Sequence, residues 1–122
     1  MYDKQNIFAK ILRKEIPCEK VLENEEILIF HDISPVAPIH FVAIPKGEYQ
    51  SFSDFTVNAD ADFTKKFWQS IETVIQKTES LADGYRLITN CGAKGGQTVP
   101  HFHVHILGGK QLGALVMGDQ YH

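Results

Sequence analysis

His101-Phe102-His103-Val104-His105-Ile106-Leu107 alternates imidazole with apolar side chains, and the reading of this stretch decides the fold. On an extended strand, side chains at alternate positions leave the same face of the sheet. A strand over 101–107 therefore puts the imidazoles of His101, His103 and His105 on one side and Phe102, Val104 and Ile106 on the other. One face is core and the other is chemistry. A lone histidine on a strand is ordinarily a solvated or hydrogen-bonded side chain. A set in register asks for another reason, because His is a modest strand former and each buried ring needs a polar partner. Such rings either bind a divalent metal through neutral nitrogens or hold and attack a phosphate, with imidazole as nucleophile, donor and proton carrier near neutral pH.

The flanking residues favour phosphate. Upstream lies Asn90-Cys91-Gly92-Ala93-Lys94-Gly95-Gly96-Gln97-Thr98, a loop whose glycines permit positive φ and close backbone approach. Gly-rich connections are often plain hairpin turns. Directly before a strand of imidazoles, however, this one can aim several N–H groups at one anion, with the Gln97 amide, the Thr98 hydroxyl and the Lys94 ammonium added. The competing reading takes His101, His103 and His105 as metal ligands. Alternate rings along one strand place the outer α-carbons roughly 13 Å apart, so binding by all three demands strained reach. No metal is expected.

The rest of the chain predicts an α+β fold. Ile7, Phe8, Ile11 and Leu12 make a helical stripe that Pro17 ends. A short strand follows near Val21 and Leu22, then strands over 26–30 and 39–44 separated by the turn at Pro35 and Pro38. From about 59 to 81, Phe63, Phe67, Ile71, Val74 and Ile75 recur at three- and four-residue steps, the mark of a long amphipathic helix capped by Asn58 or Asp60. Trp68 reads as core or interface filler. Strands over 85–90 and 101–107 make a hairpin around the glycine loop. The expected sum is a five-stranded antiparallel meander with a short N-terminal helix and one long helix, the helices lying against one face. At 122 residues and 43% hydrophobic content the chain suits a single domain over 1–122.

A net charge of −3 argues against a nucleic-acid binder, since phosphate contacts need a basic surface. The ligand expected is small. Cys18 and Cys91 form no close pair, and no basic segment followed by an apolar core opens the sequence. Neither a zinc ribbon nor a secretory signal is read, so the setting expected is reducing and cytoplasmic, with no membrane partner. Cys91 is read as an inert small residue, because reactivity needs a lowered pKa. Asp32, by its residue type alone, caps the turn at Ser34 and Pro35.

The run Gly95-Gly96-Gln97-Thr98-Val99-Pro100-His101-Phe102-His103-Val104-His105-Ile106-Leu107-Gly108-Gly109 resembles the signature of the histidine-triad nucleotide-binding proteins. The resemblance extends to Phe30-His31-Asp32-Ile33-Ser34-Pro35, to Ala37-Pro38-Ile39-His40-Phe41 with Ile44-Pro45-Lys46, and to Ile7-Phe8, Ile11 and Lys14-Glu15-Ile16-Pro17. Together these blocks cover most of the chain. It is most similar to the Hint branch, the small purine nucleoside phosphoramidases.

That resemblance implies hydrolysis of purine nucleoside 5′-phosphoramidates through a nucleotidyl-histidine on His103. His105 and His101 would hold nonbridging oxygens or pass protons, and His40 would orient the nucleophilic ring. Asp32, with His31 beside it, would accept both ribose hydroxyls, a task suited to an acceptor-only carboxylate. Phe8, Phe30 and Ile33, with Ile11 and Leu12, would sandwich the purine. Asn90, Gly96, Gln97 and Thr98 would serve the phosphate. A dinucleoside polyphosphate hydrolase or nucleotidyltransferase of the same superfamily stays open, as does a nucleotide-binding partner protein of low turnover. No cofactor is implied. A two-fold homodimer is, through the residues around Trp68 and the tail Leu112 to Met117. Two departures stand out. Asn6 and Ala9 occupy the places of a Cys-x-x-Cys zinc pair found in some relatives, and the tail lacks the Trp that many carry, which leaves leaving-group preference open.

Overall fold

Each of the alternating apolar stretches becomes a strand. In the computed structural model, which describes residues 1–115, β1 (Lys20–Glu23), β2 (Ile27–His31), β3 (Ile39–Pro45), β4 (Tyr85–Ile88) and β5 (Val104–Gly108) form one antiparallel sheet, accompanied by helices α1 (Ile7–Leu12), α2 (Phe52–Asn58) and α3 (Ala61–Lys77). The α+β class and the five antiparallel strands are as expected. The strand order is β1-β2-β3-β5-β4. The first three strands meander; the chain then crosses over α2 and α3 to the far edge and returns, so that β5 lies between β3 and β4. The histidine strand is thereby flanked on both sides.

Side-chain alternation sorts the sheet into two cores. Ile27 and Ile29 of β2, Phe41 and Ala43 of β3, and Val104 and Ile106 of β5 face α2 and α3, where Phe55, Phe67, Ile71 and Val74 close over them with Phe102. Leu28, Phe30, Val42 and Ile44 face the other way and pack with Ile11, Phe8, Leu12 and Ile16. Helices therefore cover both faces instead of the one expected. The two covers are unequal. Helix α1 has six residues and is about 9 Å long at 1.5 Å per residue, whereas the outer strands of a five-stranded sheet lie roughly 19 Å apart. Part of the second face is left uncovered.

The long helix expected over 59–81 is shorter and has a companion. Asp60, not Asn58, is its cap: one carboxylate oxygen accepts from the N–H groups of Asp62 and Phe63 at 2.8 and 3.3 Å. Asn58 instead ends α2, its amide donating to Asp54 at 2.7 Å. Helix α3 stops at Lys77, and a single 3₁₀ turn (Glu79–Leu81) follows. Helix α2 escaped the periodicity because its only buried residue is Phe55. Its signal was the Ser51 and Asp54 pair at capping spacing: Ser51 Oγ accepts from Asp54 N–H at 3.2 Å, and Asp54 accepts from Gln50 N–H at 2.7 Å. Asp60→Ala is expected to cost about 1 kcal/mol through the lost cap, read as a lower urea midpoint at unchanged slope.

Strand β5 starts at Val104, three positions later than expected. Ahead of it, Phe102 N–H donates to the Tyr49 carbonyl at 2.7 Å, so no ladder forms over 101–103. The alternation survives, with Phe102 1% exposed in the first core. Among the described residues, no helix is long and apolar enough to cross a membrane. Tail residues 116–122, which include Met117 and most of the Trp-less stretch, lie outside the described residues.

Candidate active site

The uncovered part of the second face holds the imidazoles. His40 of β3 and His105 of β5 lie with ring centroids 5.1 Å apart, and His103 stands 5.2 Å from His105. Phe8 of α1 sets its edge against His103 at 4.8 Å. His101 lies deeper, fully buried, with Tyr2 at 5.7 Å and Phe8 at 6.3 Å.

Hydrogen bonds assign every proton in this group. His101 Nε2 lies 3.1 Å from the Pro45 carbonyl, which can only accept, so Nε2 carries the hydrogen. Its Nδ1 then accepts from the Tyr2 hydroxyl at 2.6 Å. His103 Nδ1 donates to the His101 carbonyl at 2.7 Å, which leaves its Nε2 with a free lone pair. Val36 N–H donates to His40 Nδ1 at 3.2 Å. His40 Nε2 must therefore be protonated, and it donates to His105 Nδ1 at 2.9 Å with Asp32 Oδ2 at 3.4 Å. His105 in turn carries its hydrogen on Nε2. Among the described residues no side-chain nitrogen or oxygen is both sealed from solvent and unpartnered. The Nε2 atoms of His103 and His105, which bond to no protein atom there, accordingly reach open space. One is a lone pair and the other is an N–H.

Burial keeps these rings neutral. It pushes His101 down to about 4, with the Pro45 carbonyl opposing. His105 also falls to about 4, through burial first and then the neighbouring His103 and His40. Burial lowers His40 and His103 as well; Asp32 pulls both back up, and the His101 carbonyl does the same for His103.

Several expected site residues stand elsewhere. His40 holds His105 and not His103. His101 has both nitrogens engaged and no exposure, so it acts on the site only through its carbonyl. His31 shares the parity of Ile27 and Ile29 and leaves by the opposite face, edge-on to Phe41 at 5.0 Å and 4.0 Å from Glu19. Ile33 is 93% exposed, whereas Phe30 is buried against Phe8 at 5.9 Å. Asp32 forms the turn read from its residue type. Oδ1 accepts from Ser34 N–H at 2.8 Å, forming the turn, and Oδ2 faces the histidines.

The glycine loop turns inward. Gly95, Gly96 and Gln97 donate their N–H groups to carbonyls of the loop itself, and Gly92 donates to Gln97 Oε1. The Gln97 amide donates to Gln50 and Val99 carbonyls at 2.6 and 3.0 Å. Gln97 thus staples the loop and does not face an anion. Gly92 and Gly96, at φ +77° and +80°, supply the conformation this folding-back requires. Thr98 remains exposed. Asn90 lies two residues beyond the end of β4 and is half-buried.

The sequence reading missed two residues. Thr89 Oγ1 donates to the His103 carbonyl at 2.8 Å, and Tyr2 reaches His101. Neither carries a local signal, because both contacts are long-range. Cys91 also differs from expectation: it is exposed, and the hydroxyls of Ser51 and Ser53 hold its thiol below the ordinary value.

Asp32, His40 and His105 offer ligand atoms within 4.8 Å of one another. A cation there would need the lone pair of His40 Nε2, yet Val36 N–H already takes the lone pair of Nδ1. Metal binding would leave that ring with no proton at all, so the arrangement fits a proton better than an ion. Asn6 and Ala9, at the zinc-pair places, bond to each other as helix cap and capped N–H at 2.9 Å.

The HIT domain family model matches residues 13–112. An uncharacterized HIT-like protein of Rickettsia prowazekii is 47% identical over 116 residues, which are 95% of this chain and 97% of that one. Among solved structures, a HIT family hydrolase from Clostridium thermocellum superposes with a TM-score of 0.84 at 33% identity, covering 94% of this chain and 99% of that one. A histidine triad protein from Clostridium difficile gives 0.83 at 38% identity, covering 93% and 98%.

Proposed function

We propose, from the premise that this chain belongs to the HIT domain family, that it is a hydrolase of purine nucleoside 5′-phosphoramidates. The observation that carries this reading is the adjacent pair of open ring nitrogens, a lone pair on His103 Nε2 and an N–H on His105 Nε2. An attacking nitrogen beside a fixed donor suits displacement at a charged phosphoryl group. In the first step His103 Nε2 bonds to the α-phosphorus in line, and the P–N bond to the amine breaks. The amine leaves with that electron pair and takes a proton from water. His105 Nε2–H holds a nonbridging oxygen while charge grows there. Water then attacks the nucleotidyl-histidine and gives its proton to the hydroxide left by the first step, while the histidine–phosphorus bond breaks and Nε2 regains its lone pair.

Asp32 supports a ribose site, because its carboxylate keeps acceptor capacity beyond Ser34 and His40. Phe8, Phe30 and Ile11 form the apolar wall on which a purine can lie. Asp32→Asn is expected to raise KM for adenosine 5′-phosphoramidate by about tenfold to a hundredfold, the worth of hydrogen bonds to a charged acceptor. An unchanged KM would remove Asp32 from the ribose site. The test of the reaction itself is release of amine and nucleoside monophosphate by the purified protein.

A second reading draws on one observation. His103 is only 6% exposed, with Phe8 edge-on against it, and so narrow an opening favours a nucleotide-binding protein of low turnover. Tight binding of adenosine monophosphate without product release from the phosphoramidate would select it. Either reading is compatible with a homodimer: β4 is an edge strand with Tyr85 and Leu87 46% and 40% exposed, which supports pairing with a second copy. The two free cysteines support a reducing, cytoplasmic setting.

A further inference from the structure

The segment carrying the nucleophile, 101–103, precedes β5 and has no strand ladder to hold it. Bonds from distant residues do that work. Thr89 holds the His103 carbonyl, Pro45 accepts from His101 Nε2, and Tyr2 donates to His101 Nδ1 across 99 positions of sequence. We propose that Tyr2 is a positioning residue for His103: its hydroxyl locks the buried His101 ring, and with it the carbonyl that keeps the hydrogen of His103 on Nδ1. This inference rests on His103 being the nucleophile.

Tyr2 is itself held in place. It enters a turn in which Gln5 N–H bonds to Asp3 Oδ1 at 2.9 Å and the Asn6 amide bonds to the Asp3 carbonyl at 2.7 Å, and Asn6 then caps α1. Its ring meets His101 edge-on. Burial raises the phenol above its ordinary value, so it stays a donor. Pro45 dictates the tautomer of His101, and the Nδ1 that remains must accept, which the Tyr2 hydroxyl satisfies. With the hydroxyl removed, that buried lone pair has no partner, a costly state that the ring escapes by turning. Turning breaks the bond to Pro45 and releases the backbone at His101, carbonyl included. His103 then loses the acceptor for its Nδ1–H, and the tautomer with hydrogen on Nε2, which cannot attack, gains population.

Tyr2→Phe is the test, with Asp60→Ala as a variant weakened at a cap far from the site. On adenosine 5′-phosphoramidate, Tyr2→Phe is expected to lower kcat about tenfold, the equivalent of one buried hydrogen bond, with KM within about twofold of wild type. Nitrogen-15 spectra of the histidine rings should show His103 shifting from pure Nδ1–H toward Nε2–H. Asp60→Ala should lose stability while keeping both the rate and the ring signals. Wild-type rate and wild-type His103 signals in Tyr2→Phe would overturn the proposal. So would a wild-type spectrum in which His101 carries its hydrogen on Nδ1, a measurement that needs no variant to fold. If the wild type releases no amine at all, the functional reading fails, while the His103 tautomer still decides the role of Tyr2.

Discussion

Replacing His103 with glycine is expected to lower hydrolysis of adenosine 5′-phosphoramidate by about 10⁴ or more, because the covalent route disappears and only binding and charge stabilisation remain. The size of the loss follows from the site's chemistry. Among the described residues the only other open ring nitrogen beside it is His105 Nε2, and that atom carries a hydrogen fixed through His40 and Val36. His101 has no free nitrogen at all. No neighbour can therefore substitute as nucleophile without rebuilding the chain of hydrogen bonds. Mass spectrometry of wild-type protein quenched during turnover should find the nucleotidyl group on residue 103. Near-normal turnover by His103→Gly, or an adduct on another side chain, would end the assignment. Circular dichroism of the variant guards against a trivial explanation, since its missing ring leaves a gap beneath Phe8.

What the sequence disclosed was what alternation encodes locally. Phe102, Val104 and Ile106 went to one face and the histidines to the other because period two is a property of the strand alone. The same rule places His31: counting from Ile27 and Ile29 puts its side chain on the face toward α2 and α3, opposite the other histidines. Contacts made at long range were illegible. Nothing near Gln97 announces that its amide will be taken by Gln50, 47 positions away, and nothing near Tyr2 points to His101. The late start of β5 has the same origin, since Tyr49 claims Phe102 N–H. Strand order was likewise beyond reach. Pairing of consecutive strands is the default expectation, but two helices intervene between β3 and β4, and which edge the returning strand joins depends on how those helices pack.

Acid should unfold this protein by protonating its histidines before its carboxylates. His101 and His105 sit at about 4 in the folded protein, against about 6.5 in the unfolded chain. Between those values the unfolded state binds protons that the native state refuses, so unfolding free energy rises with pH across that window. Above about 6.5 the full stability is present. It is lost as pH falls toward 4, and these groups add no further loss below that. His101, sealed from solvent, accounts for about 3 kcal/mol, since each pKa unit is worth 1.36 kcal/mol; half-open His105 contributes less. Glu23, held down near 2 by Lys20 and Lys46, also loses stability on acidification, but only below about 4.5, so the two effects separate on the pH axis. Urea midpoints taken at pH 7.5, 6, 5 and 4 should begin to fall below about 6.5 and be clearly lower already at pH 5. A midpoint level down to pH 5, falling only below it, would mean that the rings accept protons freely in the folded state. The buried Tyr2, His101 and Pro45 chain could not then exist as described, because a second hydrogen on His101 has no acceptor there. Activity shares the same origin: His103 Nε2 attacks only while unprotonated, and burial extends that condition below the ordinary range of imidazole. The low exposure that obstructs substrate entry is thus also what keeps the nucleophile ready in mild acid.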